Sequence, residues 1–378
     1  MTLTARQLNR ATLARQMLFR RERLGAGDAV HRIVALQAQE PASPYLALWN
    51  RIAQFDPAGL DAAFADGSIV KATLMRVAMH AVAADDYAAF QDAMQPTLRA
   101  ARLHDLRFKV AGLSIAEADA LVAHVMAFAK TPRTSAQVEA WLDERLGPPP
   151  RRGAWWAFRH YGPFVHAPLG TPWSFPARPA YQAAREHVTP SAPETSLQHL
   201  VIRYLEGFGP ASVQDIAQFT MLHKPLVRAA VDALGDRLVP VSGPDGAKLL
   251  DVPGGLVPDE DTPAPPRLLG MWDEVLLAYA DRSRTIPPEY RRVVLRINGD
   301  VLPTLLVDGY VAGVWRPVEA GIEATAFRSL TDEEWTGLGD EATRLVAFLA
   351  ARDPNVYARY GHWWKDLRSD EVRVLPGS

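Results

Sequence analysis

The sequence predicts an α+β fold in which three tandem winged-helix units precede a β-rich, barrel-like C-terminal domain. Short helical patterns followed by strand-like runs occur three times, on a scale of about 60 residues. Beyond a proline-rich stretch the pattern changes to strand-like runs and a long helix. The boundaries expected for the four units are 1–112, 113–190, 191–258 and 267–378, with a linker at 259–266.

The first unit contains four predicted helices and two predicted strands. Its helix starts are marked by Asp28, by Ser43 followed by proline, and by Asp56 followed by proline, which are common N-terminal signals. The predicted helices cover 4–19, 28–36, 43–52 and 56–64, and the predicted strands cover 69–74 and 78–83. An acidic pair, Asp85 and Asp86, directly follows, and we expect it to cap a helix.

The second and third units repeat this order. In the third unit Ser212 is an N-cap candidate, and a Pro-Asp-Gly turn separates two strand-like runs. The predicted helices cover 114–128, 134–146 and 151–160 in the second unit, and 195–206, 213–219 and 224–234 in the third. The predicted strands are 164–167 in the second unit, and 238–241 and 247–252 in the third.

The C-terminal domain is predicted to be mainly β. Asp308 and Gly309 form a typical two-residue hairpin turn between strand-like runs. The predicted strands cover 293–297, 301–307 and 310–315, followed by a helix at 332–349 and a short tail at 362–378.

The composition excludes several classes of protein and site. The chain has 378 residues and no cysteine, so disulfides, thiolate catalysis and Cys-ligated metal sites are excluded. No secretory signal and no apolar run long enough to span a bilayer is visible, so a soluble cytoplasmic protein is expected. The net charge of −2 does not mark a nucleic-acid binder, but basic residues crowd the first unit and acidic residues the C-terminal third.

The segment that follows the second predicted helix is the strongest candidate for a catalytic element. It reads Leu-Gln-Ala-Gln-Glu-Pro over residues 36–41. Pro41 disfavours a helical Glu40, so the helix should end near Leu36 and the chain should then be extended. Gln37 and Gln39 would then point to the same side, whereas in a helix they would diverge. Two surface glutamines at a helix end remain the alternative from composition alone.

The motifs resemble those of the AlkZ-type winged-helix DNA glycosylases. Residues 34–51 are similar to the signature of this family, whose catalytic element is Gln-apolar-Gln or Gln-apolar-Asp. Further similar segments are 74–80, 272–274, 279–284 and 307–315. The resemblance implies an enzyme that excises N-alkylated purines and unhooks interstrand cross-links of the azinomycin type, with Gln37 and Gln39 as its catalytic residues.

The two glutamines restrict the substrate. A glutamine amide is not a general base, but it orients water and offers a carbonyl dipole to positive charge on the sugar. Such a site suffices only when the base already carries a positive charge, as in N7-alkylguanine or N3-alkyladenine. With no lysine expected nearby, the sequence predicts a monofunctional glycosylase without lyase activity, metal or cofactor.

Duplex DNA carrying alkylated or cross-linked purines is therefore the expected partner, and a monomer is expected. Arg76 and His80 are candidates for contact with DNA, with packing inside the protein as the alternative. For Asp273, Arg282 and Arg284 a buried ion pair between domains is at least as good an interpretation. The other candidates for DNA contact are Arg20, Arg32, Arg51, Arg152 and Tyr310.

A non-catalytic winged-helix regulator, or a resistance protein that binds damaged DNA, is the alternative function. A regulator usually carries a dimerisation helix with sustained heptads, and no such repeat is visible. It would also have no need of Gln37 and Gln39.

Overall fold

The computed structural model describes residues 2–170, 172–184, 193–365, 367 and 369–376. The expected boundary between residues 190 and 191 lies outside the described residues, as does the end of the expected tail, 377–378. None of the helices in the described part is long and apolar enough to cross a membrane.

The first segment contains four helices and a three-stranded antiparallel sheet. Thr4 caps α1 and exchanges hydrogen bonds with Gln7, and Asp56 caps α4 ahead of its first proline. The helices are α1 (Ala5–Arg15), α2 (Ala26–Ile33), α3 (Ser43–Arg51) and α4 (Pro57–Asp66). The strands are β1 (Leu36–Gln37), β2 (Ile69–Thr73) and β3 (Met79–Ala83), in the order β1-β3-β2.

A helix of 20 residues, α5 (Ala84–Leu103), connects the first sheet to the second segment. Asp85 and Asp86 lie in its first turn, but the N-cap is Ala83 and no side chain caps the helix, so the expected capping role is wrong. The sequence analysis assigned no helix beyond them. Pro96 lies inside α5, and proline usually interrupts a helix. No side chain caps the start of α5, so the sequence also lacks the usual signal for a helix N-terminus.

The second and third segments each combine helices with a small antiparallel sheet. Those of the second are α6 (Leu106–Lys109), α7 (Ile115–Phe128), β4 (Arg133–Thr134), α8 (Ser135–Leu146), α9 (Ala154–Tyr161), β5 (Phe164–Ala167) and β6 (Ala180–Ala183). Those of the third are α10 (Pro193–Phe208), α11 (Val213–Thr220), α12 (Lys224–Leu234), β7 (Val239–Ser242) and β8 (Lys248–Asp251). Ser212 caps α11 as predicted. The description of the three segments as winged helices remains a prediction.

The C-terminal segment contains an open sheet, so the expected barrel is wrong. Its five strands are ordered β13-β12-β11-β10-β9, and the two outer strands do not pair with each other. The strands are β9 (Arg267–Leu269), β10 (Thr304–Val307), β11 (Tyr310–Val318), β12 (Gly321–Ala326) and β13 (Glu371–Leu375), and the helices are α13 (Arg291–Val294) and α14 (Asp332–Ala350). Helix α14 packs against β9, β12 and β13.

The strand expected at 293–297 is also wrong. Val294 ends the short helix α13, and Leu295 makes a single bridge to Val301. The apolar run therefore does not face one core, since Val294 is buried whereas Ile297 is fully exposed. The following strand begins at Thr304 rather than at 301. Pro303 has no N–H to donate and precedes it directly.

The buried apolar residues form two large clusters that do not follow the chain order. One cluster combines α1 to α4 with the C-terminal sheet and α14. The other combines β2, β3 and α5 with the helices of the second and third segments. The first sheet lies between them, because Ala81 of β3 belongs to the first cluster and its neighbour Val82 to the second. The segment after α2 is thus held between the two main cores.

Candidate active site

Gln37 lies at the end of β1, where α2 has already ended. The helix stops at Ile33, and Val34 has a positive φ of 77° that turns the chain out of it. Leu36 and Gln37 then pair with Ala81 and His80 of β3, and the N–H of Ala38 donates to the carbonyl of Met79. The prediction that the helix ends and the chain becomes extended before Gln37 is confirmed. The helix ends three residues earlier than expected.

The two glutamines differ in their surroundings. Gln37 is buried, with 8% of its surface exposed, whereas Gln39 is exposed. Within the described part of the chain, the side-chain amide of Gln39 has no hydrogen-bond partner, and neither does the side-chain Nε2 atom of Gln37. A joint action of the two amides on one point stays a prediction.

A cluster of charged side chains holds Gln37. Arg76 Nη2 donates to Gln37 Oε1 at 3.1 Å and to both carboxylate oxygens of Glu274, at 2.8 and 2.9 Å. The Nε2 atom of His80 lies 3.0 Å from Glu274 Oε1. The register of the sheet explains this arrangement, because directly paired residues share a face and His80 is opposite Gln37.

The charges in this cluster compensate one another. Burial alone would raise the pKa of Glu274, but the neighbouring Arg76 charge and the contact with His80 hold it below its usual value. Burial lowers the pKa of His80, although Glu274 opposes this effect. At neutral pH the cluster therefore consists of a carboxylate, a guanidinium and a neutral imidazole.

Lys71 is a buried amine that the sequence analysis did not single out. Its side chain is 3% exposed, and its ammonium lies 4.5 Å from the ring centroid of Phe175. Burial lowers its pKa to about 8, against an opposing effect of Glu40. Lys71 pairs with Ala81, which in turn pairs with Leu36, so it lies on the sheet face opposite to Gln37. The sequence feature that could have identified Lys71 as a buried amine is its position inside an apolar strand-like run.

Glu40 joins the glutamine segment to the C-terminal part of the chain. Its carboxylate accepts a hydrogen bond from Arg359 at 2.5 Å and one from the hydroxyl of Tyr360 at 3.2 Å. Ser43, at the start of α3, lies within hydrogen-bond distance of the Tyr357 hydroxyl, at 3.0 Å. The segment is thus fixed at its start by β3 and at its end by residues more than 300 positions later.

Comparison with known proteins assigns the family. A sequence model of the AlkZ-like DNA glycosylases matches residues 30–348, which is most of the chain and includes the glutamine segment. The chain belongs to the AlkZ-like DNA glycosylase family.

Two matches from Streptomyces sahachiroi agree with this assignment. The chain is 26% identical over 345 residues to an interstrand DNA cross-link repair glycosylase, covering 85% of this chain and 90% of that protein. It also superposes on the structure of the DNA glycosylase AlkZ with a TM-score of 0.77 at 21% identity, covering 92% of this chain and 96% of the other. The second match shows a shared fold.

Two of the residues expected to contact DNA are buried in this AlkZ-like chain. Arg51 is 1% exposed and forms a bidentate ion pair with Asp273, with both distances at 2.8 Å. His80 is fully buried against Glu274. DNA contact by these two side chains stays a prediction, while the buried ion pair expected for Asp273 is confirmed. Arg282 and Arg284 donate hydrogen bonds to the backbone carbonyls of Leu276 and Pro210.

The remaining candidates lie at or near the surface and are not brought together with Gln37, except for Arg76. Arg20 and Arg152 are exposed. Arg32 is partly exposed and forms an ion pair with Glu22. Tyr310 is partly exposed and follows the Asp308 turn, which is held by Arg6 and Arg10 of α1. DNA contact by these residues stays a prediction.

Metal ligation finds no support in the described residues. No group of three or more His, Asp or Glu side chains there is arranged to hold a metal ion.

Proposed function

We propose that the chain is a monofunctional DNA glycosylase that hydrolyses the N-glycosidic bond of cationic N7- and N3-alkylpurines. Its substrates would include purines joined in interstrand cross-links, as the name of its cross-link repair relative suggests. The azinomycin type of cross-link is the one that the family resemblance implies. The observation that carries the proposal is the fixed amide of Gln37 at the end of β1, followed two residues later by the exposed Gln39.

The chemistry follows from what an amide can do. The pair provides no general base, so the leaving group must already be activated. A positive charge on the alkylated base supplies this activation, because the bond then breaks towards an oxocarbenium-like sugar without protonation of the base. The amide groups orient the attacking water, and the exposed Gln39 can turn its carbonyl dipole towards the positive charge that develops on the sugar.

The position of Lys71 supports hydrolysis rather than Schiff-base chemistry. A lyase needs an amine that reaches the sugar carbon freed by base loss. Lys71 has the lowered pKa of such an amine, but it is buried on the other face of the sheet from Gln37. Water is therefore the proposed nucleophile, and an abasic site is the proposed product.

The decisive experiment measures base release from duplex DNA that contains N7-methylguanine. Alkali converts each abasic site to a strand break, so break formation reports excision, and breaks without alkali would reveal lyase activity. Replacement of both glutamines by Ala is expected to abolish excision and leave DNA affinity largely unchanged. Binding without release of any base, from mono-adducts and from cross-linked duplexes alike, would favour the non-catalytic alternative.

A further inference from the structure

The orientation of the Gln37 amide is determined by the chemistry of its neighbour. The facing atom of Arg76 is a guanidinium nitrogen, which donates hydrogen bonds and accepts none. The amide atom 3.1 Å away must therefore be the oxygen, and the amide NH₂ group points away from Arg76. Gln37 thus offers a donor to its free side, whereas the exposed Gln39 can turn either end of its amide to a ligand.

Arg76 is itself held from three sides. Glu274 accepts from its Nη2 atom through both carboxylate oxygens, and the ring of Phe219 lies 5.0 Å from the guanidinium carbon. Its Nη1 donates to the carbonyl of Phe219 at 3.3 Å. The backbone adds a further constraint, because Arg76 and Val77 both have a φ of 54°, a region that β-branched residues rarely adopt. Strained backbone of this kind is common at functional sites.

We propose that Glu274 is a positioning residue for base excision, which acts through Arg76 to fix the amide of Gln37. The proposal rests on the catalytic role of Gln37 proposed above. Glu274 is 2% exposed, and within the described residues its carboxylate contacts Arg76 and His80 but has no hydrogen bond to Gln37. Its effect on the Gln37 amide is therefore assigned to Arg76, the group that donates to Gln37 Oε1.

The charge of Glu274 has a second consequence. The substrate base and the developing sugar are both positively charged, and an unpaired Arg76 next to Gln37 would repel them. The buried carboxylate cancels this charge at a distance of 2.8 Å. The low polarity around Arg76 and Glu274 makes the repulsion by an unpaired Arg76, and its cancellation by Glu274, stronger than in water.

The first test compares Glu274→Gln with the wild type under single-turnover conditions on N7-methylguanine DNA. Because the side chain keeps its shape and loses its charge, we expect excision to be slower by about tenfold or more, with the dissociation constant for DNA unchanged. Arg76→Met should show a similar loss, and Arg76→Lys should restore part of the rate. Asp251→Asn is the matched control, because it breaks a buried bidentate pair with Arg15 at 2.7 Å and should leave the rate unchanged.

The second test asks whether Glu274 acts through Gln37. Glu274→Gln is combined with Gln37→Ala and, separately, with Gln39→Ala, and excision is measured above the rate of spontaneous base loss. The loss of excision rate caused by Glu274→Gln should multiply with the loss caused by Gln39→Ala. It should not multiply with the loss caused by Gln37→Ala, because Arg76 contacts Gln37 and not Gln39.

Three outcomes would count against the proposal. The positioning role is wrong if the losses multiply in both combinations, or if Glu274→Gln excises at the wild-type rate while Gln37→Ala is slow. It is equally wrong if Arg76→Met weakens DNA binding and reduces its salt dependence by about one phosphate contact, because Arg76 then acts on DNA directly. If Gln37→Ala and Gln39→Ala both retain full activity, the proposed function itself fails.

Discussion

At the scale of single residues, the cost of burying an amine distinguishes Lys71 from the other lysines. We expect Lys71→Met to stabilise the protein at neutral pH by an amount on the order of 3 kcal/mol, the free energy that corresponds to the fall of its pKa from 10.5 to about 8. Below the folded pKa of about 8 the full cost is present. Between that value and the unfolded pKa of 10.5 the folded state releases its proton first, so the stability of the wild type rises with pH.

Urea unfolding of wild type and Lys71→Met at about pH 7 and about pH 9.5 checks this sign. The difference in unfolding free energy between Lys71→Met and the wild type should be smaller at the higher pH, because the wild type becomes more stable there. The exposed Lys130 serves as the control, and Lys130→Met should show no such narrowing. A difference that is independent of pH would show that packing against Phe175, rather than charge, sets the effect.

Arg51 and Asp273 allow a second prediction at this scale. Asp273→Asn keeps the shape of the side chain and leaves the Arg51 charge buried without its partner. We expect a loss of about 3 kcal/mol or more in the free energy of unfolding, measured in urea. The analogous change in the exposed pair of Asp105 and Arg107, Asp105→Asn, should have little effect. Equal effects at the two sites would contradict the assignment of Arg51 to the core.

Sequence patterns could identify Gln37 and Gln39 but not the groups that hold them. Pro41 and the apolar helix before it were sufficient to predict an extended segment, because these effects are local. The link from Gln37 through Arg76 to Glu274 spans more than 230 positions and depends on tertiary packing. A basic residue in sequence therefore looked the same whether it pairs internally, as Arg51 does, or faces solvent, as Arg152 does.

At the scale of elements, local signals predicted most helices but missed α5, misplaced the start of α2 at Asp28, and predicted the C-terminal strands poorly. Ser212, Thr134 and Asp56 all cap the helices expected at their positions, because a cap acts within three residues. The strands β12 and β13 were missed, since each is recognised only through its neighbours in the sheet. For the same reason closure of the sheet into a barrel could not be judged from strand-like runs.

The loop between α13 and β10 presents an apolar tip. Ile297 is fully exposed there, with Arg291, Arg292 and Arg296 nearby in the chain. Proteins that bind the minor groove insert such apolar side chains between base steps. We therefore expect Ile297→Ser to weaken duplex binding about tenfold, measured by fluorescence anisotropy.

The control for this element is Leu256→Ser, because Leu256 is also exposed but lies in a loop of the third segment. It should leave the dissociation constant unchanged. If both variants bind like the wild type, the loop at 296–300 does not enter the duplex.

At the scale of the whole molecule, many basic residues of the first segment are neutralised by acids from distant parts of the chain. Arg10 and Arg15 of α1 pair with Asp308 and Asp251, at 2.5 and 2.7 Å. Arg21, just after α1, pairs with Glu341 of α14 at 2.5 Å. The uneven charge along the sequence therefore records contacts between the ends of the protein as well as any surface for DNA.

Glu341 of α14 pairs with Arg21 of the first segment and with Arg267 of β9. We expect this buried carboxylate to make the stability of the fold depend on pH in the acidic range. Burial alone would raise its pKa, but Arg21, Arg267 and Arg344 hold it below the usual 4.5. Its contribution to stability is thus present above about pH 4.5 and is lost as the pH falls through the lower folded value. We expect Glu341→Gln to destabilise the protein at about pH 7 and to reduce the fall in stability between about pH 5 and about pH 3.

Urea unfolding between about pH 7 and about pH 3 measures both effects. The exposed Glu333→Gln is the control, and an unchanged acid slope in Glu341→Gln would show that other carboxylates set the acid limit.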